Sequence, residues 1–247
     1  MTNSTPYVGR YAPSPTGDLH LGNLQTALLA WLHARLHSGQ FLMRMEDIDT
    51  PRVVEGSAEA NIRDLVWLGI DWDGPISYQS ERHALYDQAF DGLQAHNKVF
   101  PCFCSRKDIR EAASAPHGAA IAYPGTCRNL SAAEQAKAEL EKAPSFRLRC
   151  NQCEDDFVLK RADGIYAYHL VVTVDDLEQG ITHVVRGADL EDSQAQQRQL
   201  AKYLAPDRNP LEYISVPLKF DEAGDRMSKR FGSESAQAWR DRGLSGP

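Results

Sequence analysis

The first 45 residues constrain the fold more than any other stretch. Tyr7-Val8-Gly9-Arg10-Tyr11 has the character of a short strand, and Pro13, Pro15 and Gly17 break it into a loop. From Leu21 to Leu36 the apolar positions Leu24, Leu28, Trp31 and Leu32 recur at helical spacing, and Ser38-Gly39 supplies a stop signal. Phe41 to Met45 then reads as a second strand. A strand, a crossover helix and another strand in that order begin a parallel, doubly wound α/β sheet.

The rest of the chain is expected to elaborate that start. Helices are predicted at Val53 to Leu68 and Ser80 to Asn97. After Pro101 the cysteines, glycines and prolines running to Arg128 suggest an irregular insertion. Ser131 and Glu134 form a capping-box pattern ahead of a helix that Pro144 ends. Strand signals return in Phe146 to Arg149, Phe157 to Leu159, Leu170 to Val174 and Ile181 to Val185, where the sheet is expected to resume. The expected division is a first catalytic half over 1–100, an insertion over 101–144, a second half over 145–230 and a tail over 231–247.

Charge narrows the class of partner. The 27 Lys and Arg against 34 Asp and Glu give a formal charge of −7, so any polynucleotide contact has to use a local basic patch. Met1 to Pro6 are polar and lack the basic start and apolar run of a secretory signal. No segment approaches the roughly 20 apolar residues needed to span a bilayer. The five cysteines form two tight groups, Cys102, Cys104 and Cys127, then Cys150 and Cys153, a spacing better suited to metal than to stapling a secreted fold. A cytoplasmic protein without membrane contact is expected, with a monomer as the favoured state.

Two segments carry candidate chemistry. Ala12 to Asn23 places a kinked loop, His20 and Gly22 where a strand hands over to a helix. Free N–H groups and the helix dipole attract anions there, and Gly22 permits close approach of a nucleotide. His20 and Asn23, three residues apart, are expected on one face of the first turn. Near the other end, Arg226-Met227-Ser228-Lys229-Arg230 follows the turn-like Glu222-Ala223-Gly224-Asp225. Taken singly, a histidine at a helix start is a capping residue and a basic run is a solvated loop.

Taken together and in this order, they resemble the HIGH and KMSKS signatures of class I aminoacyl-tRNA synthetases. His20-Leu21-Gly22-Asn23 keeps the first histidine and the glycine, with Asn23 in place of the last histidine. Arg226 to Arg230 keeps Met-Ser-Lys and alters both ends. The resemblance implies a Rossmann-like parallel sheet with a zinc-binding insertion, and ATP accompanied by Mg²⁺. It implies ATP contacts from His20, Gly22, Asn23, Met227, Ser228 and Lys229. His20, Asn23 and Lys229 are then expected to stabilise charge as a carboxylate attacks the α-phosphate.

Arg10-Tyr11-Ala12-Pro13-Ser14, Arg44 to Asp49, Tyr166-Ala167-Tyr168 and Val185 to Asp189 resemble the glutamyl subgroup of that family. The resemblance implies that Arg10, Tyr168 and Arg186 address the side chain of L-glutamate, that Ser14 and Glu46 hold its amino end, and that Tyr11, Ala12 and Pro13 belong to the same substrate-contacting segment. A guanidinium grips a carboxylate through paired charge-assisted bonds, and a carboxylate receives an ammonium. Singly, Glu46 and Asp49 read as the end of a strand and a helix cap, and Arg186 as a surface ion-pair residue.

After the basic loop only Phe231 to Pro247 remain, too little for a domain that reads an anticodon. The resemblance then implies a subgroup that glutamylates queuosine in the anticodon loop of tRNA(Asp) through a cyclopentenediol hydroxyl. Two alternatives stay open: charging of tRNA(Glu), and an inert RNA-binding module that keeps an old nucleotide pocket.

Three sulfurs from Cys102, Cys104 and Cys127 plus one donor would complete a tetrahedral zinc shell. The resemblance names the Tyr123 oxygen as the fourth ligand of one structural zinc. His117 competes as a nitrogen ligand, and a four-thiolate site pairing Cys102 and Cys104 with Cys150 and Cys153 competes as well.

Overall fold

The structure, a computed structural model, describes residues 6–112, 122–150, 155–218 and 235–246. In chain order the elements are β1 (Val8–Tyr11), α1 (Leu21–Leu36), β2 (Gln40–Met45), α2 (Ser57–Trp67), β3 (Ser77–Tyr78), α3 (His83–Ala95), β4 (Val99–Cys102), α4 (Arg106–Ala112), α5 (Ala132–Glu139), β5 (Ser145–Leu148), β6 (Val158–Lys160), α6 (Tyr168–Glu178), β7 (His183–Gly187), α7 (Ser193–Leu204), β8 (Glu212–Val216) and α8 (Ala236–Asp241). They form two compact units, one over 1–82, 178–194 and 209–247 and the other over 83–177 and 195–208. Among the described residues no helix is long and apolar enough to cross a membrane.

The first unit carries the expected parallel sheet. β1 pairs in parallel with β2, β2 with β3, and β7 with β8. The Thr182 N–H donates to the Val8 carbonyl at 2.9 Å and the Val8 N–H donates to the Thr182 hydroxyl at 2.8 Å, so β7 begins beside the start of β1. β1 therefore has β2 on one side and β7 on the other. The chain order reverses there, and in open α/β sheets such a point hosts ligands beyond the carboxyl ends of the strands.

α1 begins and ends where the sequence predicts, and its buried face runs along alanines. Leu24, Ala27, Ala30 and Ala34 are buried, whereas Leu28 and Leu32 are 39% and 38% exposed. Short alanine side chains let the helix lie close on β1, β2 and β7, and the bulkier leucines turn away. The helix stop also differs in detail. Ser38, not Gly39, takes the left-handed φ of 51°, while Gly39 is required because a Cβ there would come within 2.7 Å of the Tyr7 carbonyl.

Around Tyr7 the first unit gathers three imidazoles. The His33 Nδ1 and the Tyr7 hydroxyl are 2.9 Å apart, and the Tyr7 ring stacks on His183 and His37 with centroids 4.2 and 5.2 Å away. Burial pushes the His33 pKa down, and the neighbouring charges of His37 and His183 lower it further. Burial also lowers His183, with Glu212 opposing and His37 reinforcing the shift. A histidine whose folded pKa is depressed contributes stability that is complete above its ordinary value of about 6.5 and is lost as pH falls through the folded value. Tm is therefore expected to drop between about pH 7.5 and about pH 5.5. His37→Gln is expected to shrink that drop when the two melting curves are compared by circular dichroism.

In the second unit β4, β5 and β6 form an antiparallel sheet. The strands expected near Phe146 and Phe157 are thus present, but β5 pairs with β4 and β6 with β5, antiparallel, instead of continuing the parallel sheet. Leu170 to Val174, read as a strand, lies inside α6. Every residue from Leu170 to Asp176 is buried, and a helix buried on all sides has no polar face to reveal its period. The Ser131 and Glu134 capping box forms as expected at the start of α5.

Candidate active site and metal centre

The loop from β1 to α1 is held by hydrogen bonds from its neighbours. The Glu46 N–H donates to the Pro13 carbonyl at 2.9 Å, and the Val54 N–H to the Pro15 carbonyl at 2.9 Å. Ser57 closes the far end: its hydroxyl donates to the Gly17 carbonyl at 2.8 Å and accepts the Gly17 N–H at 2.9 Å. This stitching delivers the chain to His20 at a fixed angle.

His20 is the N-cap of α1. Its Nδ1 accepts the N–H groups of Gly22 at 3.1 Å and Asn23 at 3.4 Å, and the His20 N–H donates back to the Asn23 side-chain oxygen at 3.2 Å. With Nδ1 accepting, a neutral ring carries its proton on Nε2 and presents a donor from that side. A Cβ on Gly22 would lie 3.1 Å from the imidazole, so the missing side chain makes room for the ring itself. Asn23 sits at the third helical position, and the Tyr11 hydroxyl donates to its carbonyl at 3.3 Å. Burial raises the Tyr11 pKa well above its usual value, which keeps that hydroxyl a donor.

Arg10 lies near the carboxyl end of β1, Arg186 near that of β7, and Glu46 follows β2 directly. Both arginines are 5% exposed, and the Arg186 guanidinium packs over the Tyr213 ring at 4.6 Å. Pro13 is buried, Ala12 half-buried and Ser14 exposed. Arg10, Tyr11, Ala12, Pro13, Ser14, His20, Gly22, Asn23, Glu46 and Arg186 thus all belong to the first unit. Tyr168 is the first residue of α6, in the second unit. Met227, Ser228 and Lys229 lie outside the described residues. The chain returns beside the loop after them: Ser235 forms an antiparallel bridge with His20, and it caps α8.

Sequence reasoning gave no role to Arg44, whose side chain is fully buried in the first unit beside Glu46. The signal was a charged residue in the middle of the apolar strand Phe41 to Met45. Such a residue needs a built partner set to be tolerated there.

The second unit holds the thiol cluster. The Sγ atoms of Cys102, Cys104 and Cys127 lie within 4.8 Å of one another, with Cys104 and Cys127 3.5 Å apart. The Tyr123 hydroxyl is 3.4 Å from the Cys102 sulfur and accepts the Cys127 N–H at 2.7 Å. A tetrahedron with metal–sulfur bonds of about 2.3 Å has sulfur–sulfur edges of about 3.8 Å, so these donors fit around one zinc-sized ion with little movement. Among the described residues no other group of His, Cys, Asp or Glu is arranged for a metal. Cys150 is not among the converging thiols, and His117 and Cys153 lie outside the described residues.

Burial and mutual contact set the protonation of the cluster. Burial pushes the Cys104 thiol up to about 12, helped by its bond to Cys127 and by nearby Cys102. Burial also raises Cys102, but bonds from Tyr123, the Cys104 backbone and Arg147 outweigh it and leave the thiol below its ordinary value. Tyr123 is held far above the normal phenol range, first by burial and then by Cys102. A bound cation would reverse that balance and draw the protons off. The Arg147 guanidinium, 3.9 Å above the Tyr123 ring, keeps the phenol in place.

The family model for tRNA synthetases class I (E and Q), catalytic domain, matches residues 7–244. A protein of Nocardia farcinica named glutamyl-Q tRNA(Asp) synthetase is 45% identical over 242 residues, covering 91% of this chain and 76% of its own. One of the same name from Prochlorococcus marinus is 45% identical over 243 residues, covering 96% and 78%. Among solved structures, a glutamate-tRNA synthetase from Elizabethkingia anophelis superposes with a TM-score of 0.77 at 29% identity over 92% of this chain. The chain spans about half, 54%, of that longer protein.

Proposed function

Since the chain belongs to the catalytic-domain family of class I tRNA synthetases for glutamate and glutamine, we propose that it activates L-glutamate with ATP, without tRNA, and transfers it to queuosine in the anticodon loop of tRNA(Asp). The observation that carries the activation step is the pairing of two buried arginines at the ends of β1 and β7 with a helix start capped by His20. Arg10 and Arg186, with Tyr168, receive the side-chain carboxylate. Glu46 and Ser14 take the ammonium, and Tyr11, Ala12 and Pro13 shape the segment between them.

In the first step an oxygen of the glutamate α-carboxylate forms a bond to the α-phosphorus of ATP, and the bond from that phosphorus to the pyrophosphate oxygen breaks. His20 donates from Nε2 to phosphate oxygens as charge builds, and the N–H groups of the first turn of α1 add to the field. Asn23 supports the helix start and shares in stabilising the developing charge, Gly22 leaves the space, and Met227, Ser228 and Lys229 contact ATP, with the Lys229 ammonium on the phosphates. Mg²⁺ bound with ATP would neutralise pyrophosphate charge. In the second step a cyclopentenediol hydroxyl of queuosine attacks the glutamyl carbonyl, AMP leaves and an ester remains.

In this reading residues 101–144 are a metal-bearing insertion, with one structural zinc on Cys102, Cys104, Cys127 and Tyr123. Closed coordination leaves no open position for catalysis. The names of the 45%-identical relatives support queuosine as acceptor. Radiolabelled glutamate, ATP and tRNA(Asp) with or without queuosine test it. Label is expected on the anticodon fragment of queuosine-containing tRNA alone. Label on the terminal ribose, or on tRNA(Glu), would replace this acceptor with conventional charging.

A further inference from the structure

We infer that Arg44, anchored by Gln179 and Ser77, is a positioning residue for Glu46 and thereby sets how strongly the site holds an amino group. The inference rests on the reading that Glu46 receives the ammonium of glutamate. Its observation is a partly buried polar relay in the first unit. The Ser77 hydroxyl accepts from the Gln179 amide at 2.8 Å, the Gln179 carbonyl oxygen accepts from the Arg44 guanidinium at 2.6 Å, and a second guanidinium nitrogen lies 3.4 Å from Glu46 Oε1.

Geometry and charge both point this way. Arg44 and Ser77 are direct partners in the β2–β3 register, so the two ends of the anchor are set by the sheet. The Arg44 side chain is 0% exposed and that of Glu46 11%. A guanidinium without water needs anionic and polar partners to remain charged. Gln179, just past α6, turns the planar fork, and the fork in turn holds one oxygen of the Glu46 carboxylate at a set rotation. Neither Gln179 nor Ser77 is assigned to glutamate or ATP, so a change at either reads the relay without removing a proposed substrate contact.

The relay predicts a selective loss. Binding of L-glutamate and of glutarate, the same dicarboxylate without the amino group, is measured by calorimetry on the full chain. In Gln179→Leu the Kd for glutamate is expected to rise about tenfold, the lower end of what a hydrogen bond to a charged group supplies. The Kd for glutarate should stay within about twofold, and so should that for ATP. Combined with Glu46→Gln, the Gln179 change should add nothing further. Arg44→Lys, which keeps the charge but loses the fork, should fall between wild type and Gln179→Leu. Ser77→Ala, a smaller change, gives the same readout if Gln179→Leu fails to fold.

Equal losses for glutamate and glutarate would make the relay a purely structural feature and overturn the inference. So would independent, multiplying effects of Gln179→Leu and Glu46→Gln. If Glu46→Gln alone leaves the preference for glutamate over glutarate unchanged, the assignment of Glu46 to the amino group falls and the relay with it. If Glu46→Gln removes the preference while Gln179→Leu and Ser77→Ala keep it, only the relay falls.

Discussion

Replacing His20 with asparagine is expected to slow glutamate-dependent exchange between pyrophosphate and ATP by about 10²–10³-fold, the usual cost of losing one donor aimed at developing charge. The melting temperature should hardly change. The imidazole has two functions in this fold, because Nδ1 caps α1 while Nε2 is the proposed donor to phosphate. Asparagine is a good N-cap, so it keeps the first function and removes the second. His20→Ala removes both, and should melt lower by the equivalent of about 1 kcal/mol besides losing activity. Exchange assays and thermal melts on the two variants separate the roles. Wild-type exchange in His20→Asn would show that the ring is only a cap.

The second large effect is expected at the thiol cluster. Cys127→Ser should reduce bound zinc from one per chain to none, and chelation of the wild type should do the same. The cluster that these residues share is small: Phe100, Cys102, Tyr123 and Cys127 form its buried part, with Phe103, Cys104, Ile109 and Leu130 against it. Structural zinc contributes on the order of 10 kcal/mol in peptides that fold around it. A core of this size has little to replace that with, so proteolysis near 102–130 is expected once the metal is gone. Tyr123→Phe keeps the ring under Arg147 and removes only the oxygen, and zinc should bind at least about tenfold more weakly. Full zinc occupancy in Tyr123→Phe under competition with a chelator would exclude the phenol as a ligand. Because the ligands must lose protons, affinity should also fall with pH.

What could be read from the chain depended on whether the signal was local. The β1–α1–β2 unit was legible because strand, breaker and helix follow one another within 45 residues, and the capping of α1 because its reciprocal bonds join residues three apart. The period of the large apolar residues revealed α1 but not which side it buries, because close packing on the sheet selected alanine. α6 was mistaken for a strand because burial on every side erased its period. Cys102, Cys104 and Cys127 converge as their grouping within one insertion suggested. The familiar spacing of Cys150 and Cys153 offered a competing sequence argument for a different ligand set. Arg44 was passed over because its partner Gln179 is 135 residues away in the chain, and nothing in the local pattern links the two.

The bridge between His20 and Ser235 has a kinetic meaning. The chain leaves β8 with Leu218 beside Gly187 and rejoins the same unit at Ser235, next to the start of α1. The chain is thus joined to the first unit on both sides of the stretch that contains Lys229. A group carried on a short tether meets its target at an effective molarity on the order of millimolar, whatever the protein concentration. In the proposed activation step the meeting of Lys229 with a nucleotide at His20 is therefore intramolecular, and dilution of the enzyme cannot weaken it.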